Sequence, residues 1–156
     1  MPKSPSNVAE LRALEGVELG PSDWYQVTQE VVDAFAEATG DRQWIHVDPL
    51  RAAASPLGGT IAHGLLTLSL CPKLMNELLS FDGVAHVLNY GYDKVRFPAS
   101  LRVGTRIRMR ATLTGLRVVA GGVQVTVTQI VESEGGEKPV CVAESLARLI
   151  VTSTAR

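Results

Sequence analysis

Asp41 and His46 stand five positions apart in the stretch Thr39-Gly40-Asp41-Arg42-Gln43-Trp44-Ile45-His46-Val47-Asp48. A carboxylate and an imidazole held in fixed relation can share one water. One group draws off its proton while the other fixes its position. The same residues also have ordinary readings. Asp41 suits a turn that bonds neighbouring backbone N–H groups, His46 suits a half-buried histidine satisfied by a carbonyl, and Trp44 and Ile45 suit a core plug.

The flanks decide whether such a pair can be held. Val31, Val32, Phe35, Ala36 and Ala38 recur at helical spacing. Thr28 is placed to cap that helix, and Glu30 suits its first turn. Gly40 suits the left-handed residue that often ends a helix. Asp48-Pro49 reads as an N-cap followed by a first-turn proline, opening one or two helical turns to Ala54. The stretch is therefore expected to be a compact loop pinned at both ends, and loops on rigid scaffolds are where chemistry usually sits.

Further along, Ser55 to Thr60 reads as a loop whose glycines let backbone approach a ligand. Ile61-Ala62-His63-Gly64 leads into Leu65, Leu66, Leu68, Leu70, Cys71, Leu74, Met75, Leu78 and Leu79. This run is apolar almost all round, so it is expected to be a buried helix. Pro72 inside it removes one backbone bond, and Phe81-Asp82-Gly83 is expected to end it. The rest reads as β. Val84 to Pro98 is a strand whose alternation slips near Tyr92-Asp93, predicting a bulge. Thr105 to Val119 sets Ile107, Met109, Ala111 and Leu113 against Arg106, Arg108, Arg110 and Thr112. Gly121-Gly122 turns the chain, Val123, Val125, Val127 and Val131 mark one face of the next strand, and Val140 to Val151 closes the sheet. Before the first helix, Trp24, Tyr25 and Val27 suggest one more strand. An antiparallel sheet that is polar outside must wrap the apolar helix inside. The expected class is α+β, a single hot-dog fold. Residues 1–16 form an N-terminal segment, frayed over its first eight positions. Residues 17–151 are the domain and 152–156 a tail.

Composition narrows the function. With 156 residues, 46% hydrophobic, 20% charged and net charge −1, the chain fits one globular domain and offers no case for nucleic-acid binding. Charge is uneven. Eight acidic residues and one basic residue lie from Glu10 to Asp41, and seven basic and no acidic ones from Lys94 to Arg117. The basic run suits either an anionic, phosphorylated ligand or a solvated sheet face with carboxylate neighbours. Cys71 and Cys141 make no disulfide framework, Met1 to Ser6 lacks the apolar core of a signal peptide, and no apolar run nears membrane-spanning length. A cytoplasmic setting is expected. His46, His63 and His86 lack metal-ligand spacing, so no metal is expected. No glycine fingerprint for NAD or ATP follows a strand.

Phe35-Ala36-Glu37-Ala38-Thr39-Gly40-Asp41, His46-Val47-Asp48, Ala62-His63-Gly64 and Val95-Arg96-Phe97-Pro98 together resemble the MaoC-like dehydratases, the (R)-specific enoyl-CoA hydratases, over roughly Val17 to Val151. Gln43-Trp44 stands where that family usually has Asn-Pro, which resembles the subgroup of the nodulation protein NodN and bears on the shape of the acyl pocket. The resemblance implies reversible addition of water to a trans-2-enoyl-CoA, giving a (3R)-3-hydroxyacyl-CoA. It also implies a homodimer, or a multiple of one, with active sites at the subunit interface. Asp41 is then the main base, with His46 orienting the water. Gly64 at the helix start offers an N–H to the thioester oxygen, though close helix–sheet packing also accounts for a glycine there. His63 is read as a helix-start or packing residue. Gln43 is a candidate for substrate binding, Asn89 and Tyr92 are either acyl-pocket residues or ordinary strand residues, and Lys94, Arg96 and Arg102 are candidates for the CoA phosphates. The coenzyme A thioester is the substrate, and no further cofactor is implied. A hot-dog acyl-CoA thioesterase and a non-catalytic acyl-thioester-binding subunit remain as alternatives.

Overall fold

A computed structural model of the chain describes residues 1–81 and 84–151. In chain order the elements are α1 (Val8–Arg12), β1 (Glu18–Leu19), β2 (Tyr25–Gln26), α2 (Gln29–Thr39), α3 (Trp44–Val47), α4 (Pro49–Ala53), α5 (Gly64–Asn76), β3 (Val84–Arg96), β4 (Arg106–Val119), β5 (Gly122–Ser133) and β6 (Cys141–Val151). The sheet runs β1-β4-β5-β6-β3, with β2 also pairing β4, and every pairing is antiparallel. α5 packs against β4, β5 and β6. This is the hot-dog arrangement.

Alternation decides the faces. Ile107, Met109, Ala111 and Leu113 on β4 and Val123, Val125, Val127 and Val131 on β5 are buried in one core with Leu66, Cys71 and Leu74 of α5. The intervening arginines stand outside and are paired. Arg108 and Arg110 reach Glu132 at 3.0 and 3.1 Å, Arg110 also reaches Glu18 at 2.9 Å, and Arg106 pairs with Glu134. The guanidiniums of Arg106 and Arg108 lie over Trp24 at 5.7 and 4.5 Å. Three of the seven cations between Lys94 and Arg117 thus belong to a solvated sheet face. The expected bulge is present, as register shifts between Asn89 and Gly91 and between Tyr92 and Lys94.

Three expectations change. The N-terminal residues are not frayed: Lys3 accepts from Ser80 N and donates to Leu78 O, both at 2.9 Å. α5 stops at Asn76, with Glu77 as its C-cap, so its end precedes Phe81, and Asp82-Gly83 lies outside the described residues. The helix is also buried along one side only, leaving Leu65 61% exposed, because the sheet curls around one face and nothing among the described residues covers the other. A short strand at Glu18–Leu19 had no readable alternation, since two residues carry no period. Among the described residues no helix is long and apolar enough to cross a membrane.

Cys71 and Cys141 are both free and fully buried, on α5 and β6. The neighbouring Cys141 thiol and burial push the Cys71 thiol far up. Both side chains are fully buried and out of reach of a reagent, so neither cysteine should react with an aromatic disulfide reagent until denaturant is added. Rapid titration of a thiol in the native protein would contradict this.

Candidate functional site

The segment carrying Asp41 is fixed from both sides as expected. Thr28 caps α2 by accepting from Val31 N at 3.4 Å, and Gly40 ends it at φ 78° with its N–H on Ala36 O at 2.9 Å. Asp48 caps α4 by accepting from Arg51 N at 3.0 Å, with Pro49 in the first turn. Between these caps the chain is less loop-like than its sequence suggests. Trp44–Val47 closes into one helical turn, α3, so His46 projects from rigid backbone. Arg51 stacks on the Trp44 ring at 4.4 Å, which makes Trp44 a platform for a cation as well as a packing residue.

His46 is buried, and its Nδ1 lies 2.6 Å from Ile61 O. A carbonyl only accepts, so Nδ1 carries the proton and Nε2 of the neutral ring is left as an acceptor. His63 is buried too, with Nε2 donating to the backbone oxygen of Asp41 at 2.9 Å. Its Nδ1 is enclosed and has no partner among the described residues. The two imidazoles stack, centroids 3.8 Å apart and planes 25° from parallel, and Phe35 closes on His63 at 5.0 Å. One carboxylate oxygen of Asp41 and one ring nitrogen of each histidine lie within 4.8 Å of one another. A carboxylate oxygen and an imidazole nitrogen at this separation are close enough for a single water to bond both at ordinary hydrogen-bond lengths.

Sequence spacing kept the histidines apart, but the fold brings His46 and His63 together. A metal still fits poorly. Ligating nitrogens need their lone pairs in the ring plane at about 2.0–2.1 Å from the ion. Two stacked rings only 25° from parallel aim those lone pairs side by side and not at a common point.

Gly64 follows His63 directly and is the first residue of α5, so its N–H is one of the first-turn donors that lack an intrahelical acceptor. A Cβ built on Gly64 would come within 2.8 Å of the Phe97 ring. The glycine is therefore required by packing as well as suited to a close-approaching oxygen. The segment entering α5 is strung on the chain at 101–103: Ala62 N donates to Leu101 O at 2.8 Å and Val103 N to Thr60 O at 3.0 Å. Arg102 clamps the preceding loop through the carbonyls of Leu57 and Gly58, so this cation is committed to holding the loop.

A strap unseen in the sequence ties the two halves of the site together. Gln29 donates to His46 O at 2.7 Å and accepts from Thr60 Oγ1 at 2.6 Å. Partners 17 and 31 residues away leave no local signal. Gln29→Leu strands a backbone carbonyl and a hydroxyl, and should cost about 1–3 kcal/mol in urea denaturation. Unchanged stability would show that the strap carries no tension.

The remaining predicted residues separate. Gln43 is exposed and occupies the N-cap position of α3 without a capping bond from its side chain. Asn89 and Tyr92 line a cavity of about 510 Å³ between the far half of α5 and β3, β5 and β6. Burial pushes the Tyr92 phenol up, keeping it a donor. Neither Asp41, His46 nor Gly64 lines that cavity. Its nearest residue on α5, Pro72, is eight positions beyond Gly64, about 12 Å along the helix.

Residues 12–135 match the family described as "MaoC like domain". The chain is 52% identical over 145 residues to the 3-hydroxyacyl-thioester dehydratase Z of Mycobacterium tuberculosis, spanning 92% of this chain and 96% of that one. It is 39% identical over 149 residues to nodulation protein N of Rhizobium meliloti, spanning 90% and 89%. An (R)-hydratase of Pseudomonas aeruginosa superposes with a TM-score of 0.71 over 88% of this chain and 82% of its own, at 20% identity.

Proposed function

The chain belongs to the family of MaoC-like domains, and from that premise we propose that it catalyses the reversible hydration of a trans-2-enoyl-CoA to a (3R)-3-hydroxyacyl-CoA. The observation that carries the reading is the convergence of Asp41, His46 and His63 within 4.8 Å, one residue before the first N–H of α5. A water donating one hydrogen to the Asp41 carboxylate and the other to His46 Nε2 turns its lone pair outward, toward C3 of the enoyl group. As the C3–O bond forms, the water's O–H bond breaks and its proton passes to Asp41. The electron pair of the double bond moves into the thioester, whose oxygen gains charge and is met by the Gly64 N–H and the positive end of the helix. A proton delivered to C2 from the Asp41–His46 pair completes the addition, and dehydration is the same path reversed. His63 positions both partners, through its bond to the Asp41 carbonyl and its stack on His46. The chemistry uses no cofactor beyond the thioester itself.

The 510 Å³ cavity lined by Asn89 and Tyr92 has the size of a ligand pocket and is offered to the acyl chain. Gln43, on the exposed rim of α3, is offered to the substrate, and Lys94 and Arg96 on β3 to its phosphates. The free, buried thiols fit a reducing compartment, so we assign the protein to the cytoplasm.

β3 is an edge strand with apolar residues exposed on both its faces, Val87 47%, Leu88 48% and Tyr90 54%. Such an edge is normally covered or paired, and a second copy of β3 would cover it. We propose a homodimer or a multiple of one. Leu88→Glu puts a charge in that contact and should give monomers in sedimentation equilibrium; a wild type that sediments as a monomer would remove the dimer.

The test of the reaction is loss of enoyl absorbance with wild-type protein and crotonyl-CoA, followed by chiral analysis of the product. The (3R) alcohol is expected. Release of free thiol without hydration would assign a thioesterase, and binding without either reaction a non-catalytic subunit.

A further inference from the structure

We propose that the cavity beside the far half of α5 selects acyl chains that carry a hydroxyl group, and that Gln129 is the residue that reads it. This rests on the thioester reading above and adds the substrate class to it.

β5 points Val125, Val127, Gln129 and Val131 to the same inner side of the sheet, and all four are buried. Alternation calls for an apolar side chain at every one of these positions, and only Gln129 breaks the row. It is 5% exposed, it lines the cavity, and its Oε1 is enclosed without a hydrogen-bond partner among the described residues. A buried acceptor left unpaired is costly, so a glutamine here is expected to find its partner in some state of the protein. Asn76, Ser80, Asn89, Tyr92 and Ser145 also line it, but none of them bonds the Gln129 Oε1. Met75, Leu79, Phe81, Val127 and Leu146 are apolar, and the Ser145 hydroxyl already donates to Val127 O at 3.3 Å. The cavity thus sets apolar side chains beside one enclosed, open acceptor. Its complement is an alkyl chain bearing one donor, and a hydroxyl is the smallest group that supplies a donor without charge. Because the cavity begins about 12 Å along α5 from Gly64, the hydroxyl must lie well beyond the reacting carbons.

The experiment compares kcat/KM for trans-2-enoyl-CoA pairs of about six to twelve carbons, each with and without a terminal hydroxyl. It uses the wild type and Gln129→Met, which keeps length and removes the acceptor. The wild type should favour the hydroxylated member by about 10-fold or more at the chain length that reaches Gln129, the factor that a buried unpaired polar group produces in discrimination. Gln129→Met should lose or invert that preference. Equal rates within every pair for the wild type would overturn the proposal, since a trapped water then satisfies Gln129. So would a preference that survives in Gln129→Met. A uniform rise in KM for all the thioesters in the variant would place the pantetheine arm, with its amide N–H groups, against Gln129 and also overturn it. Crotonyl-CoA with the wild type separates the two levels. Hydration of crotonyl-CoA without hydroxyl preference defeats this inference alone, whereas no turnover of any enoyl-CoA defeats the parent reading and this one with it.

Discussion

Asp41→Asn is expected to lower turnover of crotonyl-CoA by about 100- to 10,000-fold, the range that a positioned general base supplies, while the protein stays folded. The fold survives because the contacts that anchor this residue are made by its backbone: Asp41 N donates to Thr39 Oγ1 at 3.4 Å and Asp41 O accepts from His63 Nε2. Asparagine keeps both and keeps the side-chain shape, but it presents an amide that cannot take a proton. His46→Gln should fall comparably. The double variant should fall little further, because groups that act on one water act as a unit and their losses do not add. Enoyl absorbance gives the rates, and thermal melts confirm the fold. Near-wild-type turnover in Asp41→Asn would remove this carboxylate from the reaction.

Gly64→Ala carries the second large effect. Alanine keeps the N–H, so a loss would come from geometry. The added Cβ would lie 2.8–3.0 Å from three atoms of the Phe97 ring, closer than packed carbons tolerate, and Phe97 or the start of α5 must move. A shift of the start of α5 takes the donor away from the developing oxyanion, and losing such a donor costs about 100- to 1,000-fold. The loss should fall on kcat more than on KM. Phe97 is 41% exposed, so the strain falls near the surface and the protein should still fold. Gly64→Ala with Phe97→Leu should recover part of the rate, because the smaller side chain makes room for the methyl group. Full activity in the single variant would show that the first turn of α5 does not meet the substrate.

The features legible in the sequence are those set by neighbours along the chain. The caps at Thr28, Gly40 and Asp48, the inward row of β4, the bulge at Asn89–Lys94 and the helix start at Gly64 all follow from local pattern, and the structure reproduces each. Asp41 and His46 came with them, being five positions apart on one pinned segment. What escaped depended on contacts between distant segments. His63 read as a helix-start or packing residue, and it is both, as the N-cap of α5 stacked on His46 and Phe35, but nothing in the spacing shows that α5 begins against the Asp41 turn. Its place directly before Gly64 was the one available signal, since a residue adjoining the proposed oxyanion donor would lie close to the substrate. The Gln29 strap to His46 and Thr60, and the clamp of Arg102 on the Leu57–Gly58 carbonyls, join residues that share no local period. The basic run from Lys94 to Arg117 was ambiguous for the same reason: its carboxylate partners, Glu18, Glu132 and Glu134, lie on other strands or beyond them.

The most direct measurement is a crystal structure with a (3R)-3-hydroxyacyl-CoA bound. The 3-hydroxyl is expected between the Asp41 carboxylate and His46 Nε2, within hydrogen-bond distance of both, with the thioester oxygen on the Gly64 N–H. A product whose hydroxyl points away from Asp41 and His46, or whose thioester oxygen rests on another donor, would contradict the mechanism.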